Sequence, residues 1–367
     1  MRGLYIHIPF CVRKCAYCDF YSVPVHGNSL NEYVKALLRE STAYAGLSFQ
    51  TLYLGGGTPS LLGAENLVHL IQGLHYSFDL SGVHEATMEA NPESVTEELL
   101  IAAKEAGINR ISIGVQSLAD NELKRVCRIH SASQAIQAVQ LTEKLGLKIS
   151  ADLIVGLPAQ NWETLRSSIG RLLELNVMHL SLYCLSLELG TPLYQEPPAD
   201  LPSEDEQAEL FTRASSFLAD HGFLHYEISN FALLGYECQH NLNYWRGGEY
   251  LGLGPAAASH LQGKRFRNRP DLTAYIQNPT GQIEDTEELD WHRKAAEEAM
   301  LGLRLLTEGI NTAELARRYG HEPVNSLLHR LEAMAEEGML IQSGSAYRLT
   351  PSRVLTSNPI FARVLND

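Results

Sequence analysis

The feature that most constrains the fold is an alternation of short apolar segments with segments of helical periodicity, which continues to about residue 186. Parallel β-α units of this kind curl into a barrel or an open sheet. Six predicted strands are fewer than the eight of a closed TIM barrel. We therefore predict an α/β fold with an open, partial (β/α)6 barrel of the TIM type, and a flat doubly wound sheet is the alternative. The strands are predicted at 3–8, 51–54, 84–90, 110–115, 148–155 and 179–185, and the helices at 31–45, 65–74, 96–106, 119–125, 132–145 and 162–175.

A change of pattern after the sixth strand indicates further domains. Residues 195–206 are rich in Pro, Asp and Glu and are typical of a linker. Helical periodicity returns at 207–221, and again at 291–306, 312–319 and 323–337, before a short hairpin at 339–349. We predict a core domain at 1–195, a connecting region at 196–285 and a smaller, mainly helical, winged-helix-like domain at 286–367.

The charge balance restricts the partners. The chain has 29 Lys and Arg against 43 Asp and Glu, a formal net charge of −14. An acidic surface disfavours binding to nucleic acid. No stretch approaches the roughly 18 apolar residues of a membrane span, and the start lacks the apolar core of a signal peptide. The sequence predicts a cytoplasmic protein that is not an integral membrane protein and has no nucleic-acid partner.

Three cysteines, spaced Cys11-x-x-x-Cys15-x-x-Cys18, provide the strongest chemical signal. Closely spaced thiolates bind soft metals and iron–sulfur clusters. Three thiolates leave the fourth iron of a 4Fe–4S cubane open to a small molecule, and Arg13 and Lys14 would offset the negative charge. The alternative is zinc, although structural zinc sites normally use four ligands.

A second group of residues follows the predicted strands. The Gly55–Gly57 triplet and Thr58 end the second strand, where a barrel places its ligand-binding groups. Polar side chains lie near the ends of later strands. Each alone fits a helix cap or a surface charge, but together they ring the face that carries the cysteines. They are Glu89, Gln116, Arg128 and Asp152.

The cysteine spacing, with Tyr17 inside it, resembles the radical S-adenosylmethionine (SAM) superfamily. The segments YIHIPFCVRKCAYCDF, YLGGGTPS, MEANPES, ISIGVQS and DLIVGLP resemble oxygen-independent coproporphyrinogen III oxidase and its relatives. The resemblance implies a partial barrel of the radical SAM kind, with the 4Fe–4S cluster on the three cysteines. It also implies SAM contacts at Tyr5, Tyr17, Gly56, Gly57, Thr58, Glu89, Gln116, Arg128, Asp152 and Ser186.

Two departures from the oxidase pattern indicate a subfamily. Phe20 stands where the oxidase has a further cysteine, and this chain begins at the first strand. Both resemble the HemW-type haem chaperones, whose relatives carry an HNxxY motif. The resemblance implies haem as cargo, with contacts at His240, Asn241 and Tyr244. The alternatives are a core histidine packed among aromatic residues, or Cys238 as the haem ligand.

Three functions remain open from the sequence. The first is a haem chaperone that delivers haem to acceptor proteins at the membrane, such as respiratory proteins, with the cluster and SAM supporting transfer or formation of a homodimer. The second is the oxidase itself, an enzyme that decarboxylates coproporphyrinogen III. The third is a radical enzyme that acts on haem. An anaerobic assay for protoporphyrinogen separates the first from the second.

Overall fold

The computed structural model describes residues 1–25 and 29–365. Six parallel strands lie side by side in chain order in one sheet, which confirms the predicted partial barrel. Two very short strands, β2 and β3, pair beside the cysteine loop. The strands up to residue 184 are β1 (Arg2–Ile8), β2 (Phe10–Cys11), β3 (Val23–Pro24), β4 (Thr51–Gly56), β5 (Glu85–Ala90), β6 (Arg110–Gln116), β7 (Lys148–Val155) and β8 (His179–Cys184).

Helices connect these strands and bury their apolar faces against the sheet. Ser131, Asn161 and Ser203 begin their helices with capping boxes, in which side chains satisfy amides of the first turn. The Ser203 cap starts the helix at Glu204, three residues before the predicted start. The helices are α1 (Ser29–Ser41), α2 (Gly63–Ser77), α3 (Glu97–Glu105), α4 (Asp120–Arg125), α5 (Ala132–Lys144), α6 (Trp162–Glu174), α7 (Pro192–Gln195) and α8 (Glu204–Asp220).

The predicted connecting region extends both edges of the sheet. Strands β9 (Leu224–Glu227) and β10 (Asn230–Ala232) add antiparallel to β8. At the other edge, β11 (Glu249–Leu253) pairs parallel to β1, and antiparallel strands β12 (Ala258–Leu261), β13 (Lys264–Asn268) and β14 (Ile283–Glu288) follow it. Within residues 1–25 and 29–365, the resulting sheet has 12 strands with β14 and β9 at its edges. Helices α9 (Gln239–Trp245) and α10 (Leu272–Gln277) belong to the same region.

A buried ion pair closes the end of the barrel where the parallel strands begin. Arg110 Nη2 lies 3.0 Å from Glu85 Oε2, and both side chains are almost inaccessible to solvent. Arg110 also donates to the Tyr236 carbonyl at 2.9 Å, and Glu85 accepts from the His240 amide at 3.1 Å. The pair therefore ties the segment that leads into α9 to the floor of the barrel.

The C-terminal residues form a separate helical unit with its own core. Helices α11 (Trp291–Gly302), α12 (Thr312–Tyr319), α13 (His321–Glu336) and α14 (Ser357–Leu365) surround Leu303, Leu327 and Met334. Strands β15 (Ile310–Asn311), β16 (Leu340–Ser343) and β17 (Ala346–Leu349) form its small sheet. Three helices and a wing were predicted here, and the structure confirms them. None of the helices in the described residues is long and apolar enough to cross a membrane.

Candidate functional site

A pocket of 470 Å³ lies where the parallel strands end, the side of a barrel on which loops gather functional groups. The cysteine loop after β1 covers one side of it, and the strand ends and the loop after β8 form the rest. The pocket brings together most of the residues that the sequence singled out. These are Cys11, Cys15, Cys18, Tyr17, Gly56, Gly57, Glu89, Gln116, Arg128, Asp152 and Ser186.

Two further predicted residues lie just behind the pocket wall. Thr58 Oγ1 donates to Cys11 Sγ at 3.6 Å. The Tyr5 hydroxyl is 3.0 Å from His7 Nδ1 in the first strand. Tyr5 therefore supports the wall through His7, whereas Thr58 contacts a cysteine directly.

The three thiols face one space and have cationic surroundings. Arg128 Nη1 lies 3.4 Å from Cys15 Sγ, and Arg13 and Lys14 line the same pocket. In the described ranges, no three His, Cys, Asp or Glu side chains are placed to hold one metal ion. A cubane binds each thiolate through a different iron and so keeps its ligands farther apart than a single ion does.

Arg128 is the central polar group of the pocket. It donates to Asn91 Oδ1 at 2.8 Å and to the Gly114 carbonyl at 2.7 Å. Among the described residues its Nε is buried without a hydrogen-bond partner, and a buried donor of this kind needs an explanation such as a ligand or an ordered water. An anionic group such as a ligand carboxylate suits this guanidinium.

Asn91 was missed by the sequence analysis. Its Nδ2 donates to Thr58 Oγ1 at 2.9 Å while its Oδ1 accepts from Arg128. It thereby joins the glycine-rich strand end to the arginine. Its position in the segment MEANPES, two residues after Glu89, could have marked it as a site residue.

Two carboxyl groups face the pocket from β5 and β7. Glu89 accepts from the Tyr53 hydroxyl at 2.8 Å and from the Gly56 amide at 3.1 Å. Burial, with a smaller effect from Asp152, raises the pKa of Glu89 to about 7. Burial likewise raises the pKa of Asp152 to about 6. Both are suited to a cationic ligand, whose charge would favour their ionised forms.

The glycine-rich strand end allows close approach of backbone to ligand. Gly56 has a φ of +114°, and a Cβ there would lie 2.7 Å from the His7 ring. Gln116 also has a positive φ, of 63°, which is uncommon for a residue with a side chain. Residues with such unusual backbone angles are concentrated at binding sites.

Of the remaining cysteines, Cys238 is buried, whereas Cys127 and Cys184 are half-buried. Cys184 also lines the pocket. It is the last residue of β8, so its position follows from the parallel register. Burial raises its pKa to about 11, which keeps the group a thiol at neutral pH.

The HNxxY segment lies at the other end of the barrel. His240 in α9 is buried, with Nδ1 2.8 Å from Thr51 Oγ1 and Nε2 2.8 Å from the Tyr244 hydroxyl. Its ring stacks on Tyr53 at 5.1 Å. Asn241 follows it in the same helix. Coordination of haem by His240 stays a prediction, and in this conformation it requires one of the two hydrogen bonds to break, because an imidazole binds a metal through a single ring nitrogen.

Tyr244 links the segment to a second cavity. A cleft of 430 Å³ lies between the β11–β13 strands and the C-terminal helices, and Tyr244 forms part of its wall. Tyr250 and His260 come from the strands, and Trp291 and Lys294 from α11. The sequence analysis assigned no role to His260, which no motif marks.

Comparisons with known proteins identify the family. The model of the radical SAM superfamily matches residues 5–172, and that of the HemN C-terminal domain matches residues 289–353. The haem chaperone HemW of Lactococcus lactis subsp. lactis (strain IL1403) is 37% identical over 100% of this chain and 98% of its own length. This chain belongs to the HemW family. Its HemW relative from Bacillus subtilis (strain 168) is 35% identical over the full length of both chains. HemW of Escherichia coli (strain K12) is 43% identical over 70% of this chain and 69% of the relative.

This chain also shares its fold with a solved oxidase. The coproporphyrinogen III oxidase HemN of Escherichia coli, described as a radical SAM enzyme, superposes with a TM-score of 0.86. The match covers 99% of this chain and 89% of that one at 21% identity. At this identity the likeness shows the fold alone. The sequence relationship to HemW therefore decides the family, and the expectation of a HemW-type chain is confirmed.

Proposed function

We propose that this protein is a haem chaperone that binds haem and delivers it to acceptor haem proteins. The observation that carries the proposal is the full-length relationship to proteins named as haem chaperones, at 37% and 35% identity. We place the acceptors at the membrane, with respiratory haem proteins as the expected class. The chaperone acts from the cytoplasm, whose reducing conditions suit six free cysteines.

We further propose that the pocket at the strand ends holds a 4Fe–4S cluster and SAM. Cys11, Cys15 and Cys18 would bind three irons, and the open iron would accept the amino acid part of SAM. When bound, the cluster supplies a Lewis-acidic iron and an electron. Arg128 would hold the SAM carboxylate, and Glu89 and Asp152 would face its cationic groups. The unpaired Nε of Arg128 and the raised pKa of Glu89 support this assignment.

The remaining predicted contacts complete the SAM site. Backbone groups of Gly56 and Gly57 would lie against the methionine part, and Gln116 and Ser186 line the same space. Tyr17, directly before Cys18 and two residues after Cys15, lies on the pocket wall. Tyr5 and Thr58 would act by supporting that wall.

A transfer assay tests the function. The reconstituted full-length protein is loaded with haem and mixed with membranes from haem-deficient cells. Reduced-minus-oxidised spectra of the washed membranes then report haem incorporation. Faster or fuller incorporation than from the same amount of free haem supports the chaperone function, and equal incorporation argues against it. Size-exclusion chromatography of the loaded sample tests whether it forms a homodimer.

A parallel assay tests the oxidase alternative. The same protein is incubated anaerobically with coproporphyrinogen III, SAM and a reductant, and protoporphyrin is measured after oxidation. A chaperone gives no product. Turnover above a control without SAM would instead establish the oxidase.

A further inference from the structure

A row of aromatic rings crosses the barrel from the HNxxY segment to the pocket at the strand ends. The His240 ring stacks on Tyr53, with centroids 5.1 Å apart and an interplanar angle of 24°. Tyr53 stacks in turn on Tyr5 at 6.2 Å, and its hydroxyl donates to Glu89 Oε1 at 2.8 Å. Glu89 lines the pocket. One tyrosine therefore contacts both His240 and a carboxyl group of the proposed SAM site.

His240 is buried and fixed at three points. Its ring nitrogens lie 2.8 Å from Thr51 Oγ1 and 2.8 Å from the Tyr244 hydroxyl. Its backbone amide donates to Glu85 Oε1 at 3.1 Å. Gly3 leaves room for the ring, since a Cβ there would lie 2.9 Å from His240 Cε1. A ring held in this way is a rigid surface against which a stacked aromatic side chain keeps its orientation.

The Glu89 end of the row is packed as closely. A Cβ on Gly55 would lie 2.9 Å from Tyr53 Cε1 and 3.1 Å from Glu89 Oε1. The Gly56 amide is the second donor to this carboxyl group, at 3.1 Å. Both hydrogen bonds favour the ionised carboxylate. The titratable groups that face Glu89 from neighbouring strands are Tyr5, Tyr53, Asp152 and Tyr183, and Arg128 faces Asp152 in turn.

We propose that His240 is a positioning residue for the SAM pocket and acts through Tyr53, whose hydroxyl it keeps directed at the Glu89 carboxylate. The inference rests on the proposed SAM site, because that site gives Glu89 a cationic ligand to face. Without the His240 ring, the Tyr53 ring gains room to turn, and the carboxylate loses one of its two fixed donors. The HNxxY segment therefore contributes to the pocket at the opposite end of the barrel.

Isothermal titration of the reconstituted full-length protein with SAM, repeated across a range of pH, tests this role. Tyr53→Phe removes a donor to the ionised carboxylate, so the pH at which SAM binding tightens should rise by roughly one unit or more, the worth of a hydrogen bond to a charged group. His240→Ala should move the profile in the same direction. The controls are Tyr319→Phe, whose hydroxyl donates to Glu298, and His225→Ala, which removes a ring stacked on another aromatic side chain. Both should keep the wild-type profile.

The double variant separates action through Tyr53 from a general effect on the fold. If His240 acts through this tyrosine, adding His240→Ala to Tyr53→Phe shifts the profile no further. A further shift of full size, or a wild-type profile in His240→Ala, would overturn the inference and leave the SAM site standing. If circular dichroism shows His240→Ala to be unfolded, His240→Gln, which fills more of the vacated space, takes its place with the same expected outcomes. A wild-type protein that binds no SAM would defeat the proposed SAM site itself.

Discussion

Arg128 Nη1 lies 3.4 Å from the Sγ of Cys15, although 113 residues separate them in the chain. The contact places a fixed positive charge beside a thiol that we assign to the cluster. The same guanidinium is held by Asn91 and by the Gly114 carbonyl. The cluster loop and the polar ring at the strand ends are therefore one site, joined through one side chain.

Arg128→Met is expected to weaken SAM binding by roughly tenfold to a hundredfold, because a hydrogen bond to a charged group contributes about 1.5–3 kcal/mol. Isothermal titration of the reconstituted protein measures the change. Arg125→Met is the control, since Arg125 pairs with Asp200 on the surface. Equal SAM affinity in Arg128→Met and wild type would remove Arg128 from the site.

The raised pKa of Glu89, about 7, predicts a pH-dependent SAM affinity. The carboxyl is mostly protonated at pH 6 and mostly ionised at pH 8, and only the ionised form attracts the cationic ligand. SAM binding should therefore tighten by up to about tenfold between these values. Glu89→Gln should bind more weakly and lose most of this dependence.

The control for the pH experiment is Glu97→Gln, a change in an exposed carboxylate that pairs with Lys144. It should keep the wild-type profile. A profile in Glu89→Gln as steep as that of wild type would show that another group causes the titration, with Asp152 the first candidate.

The buried pair of Glu85 and Arg110 predicts a large effect on stability. Removing one partner leaves an uncompensated buried charge, so Arg110→Met should lower the free energy of unfolding by about 3–5 kcal/mol. Urea unfolding followed by circular dichroism measures it. Adding Glu85→Gln to Arg110→Met should recover part of the loss, because the orphaned charge is then gone.

An exposed pair provides the comparison for that experiment. Lys144→Ala, which breaks the contact with Glu97, should change the free energy of unfolding by less than about 1 kcal/mol. Similar losses in Lys144→Ala and Arg110→Met would contradict the importance given to the buried pair.

The six-stranded core was predictable because short segments rich in apolar residues alternate with segments of helical periodicity. Strand β11 could not be predicted in the same way. It pairs with β1, so that Arg2 lies beside Glu249 although nearly 250 residues separate them, and no local sequence pattern encodes such a partner. The segment around it is also rich in glycine, which weakens the strand signal. The strands that follow β11 depend on it for their place in the sheet and were missed with it.

The candidate site, like the fold, was predictable from the sequence only in part. Residues at strand ends, such as Glu89 and Asp152, were predictable because parallel strands end at one edge of the sheet. The hydrogen-bond partners of these two carboxyl groups could not be predicted, because Tyr53 and Ser112 come from neighbouring strands. His260 reaches its cleft through an antiparallel extension and a separate domain, so only the folded chain brings it beside Lys294 and Trp291.

Anaerobic reconstitution with iron and sulfide, followed by metal analysis and Mössbauer spectroscopy, determines whether Cys11, Cys15 and Cys18 hold a 4Fe–4S cluster. We predict one 4Fe–4S cluster per chain in the wild type and in Cys127→Ser, whose cysteine lies outside the pocket lining. We predict loss of the cluster in Cys15→Ser. Stoichiometric zinc in place of iron, or a cluster that survives in Cys15→Ser, would contradict these predictions.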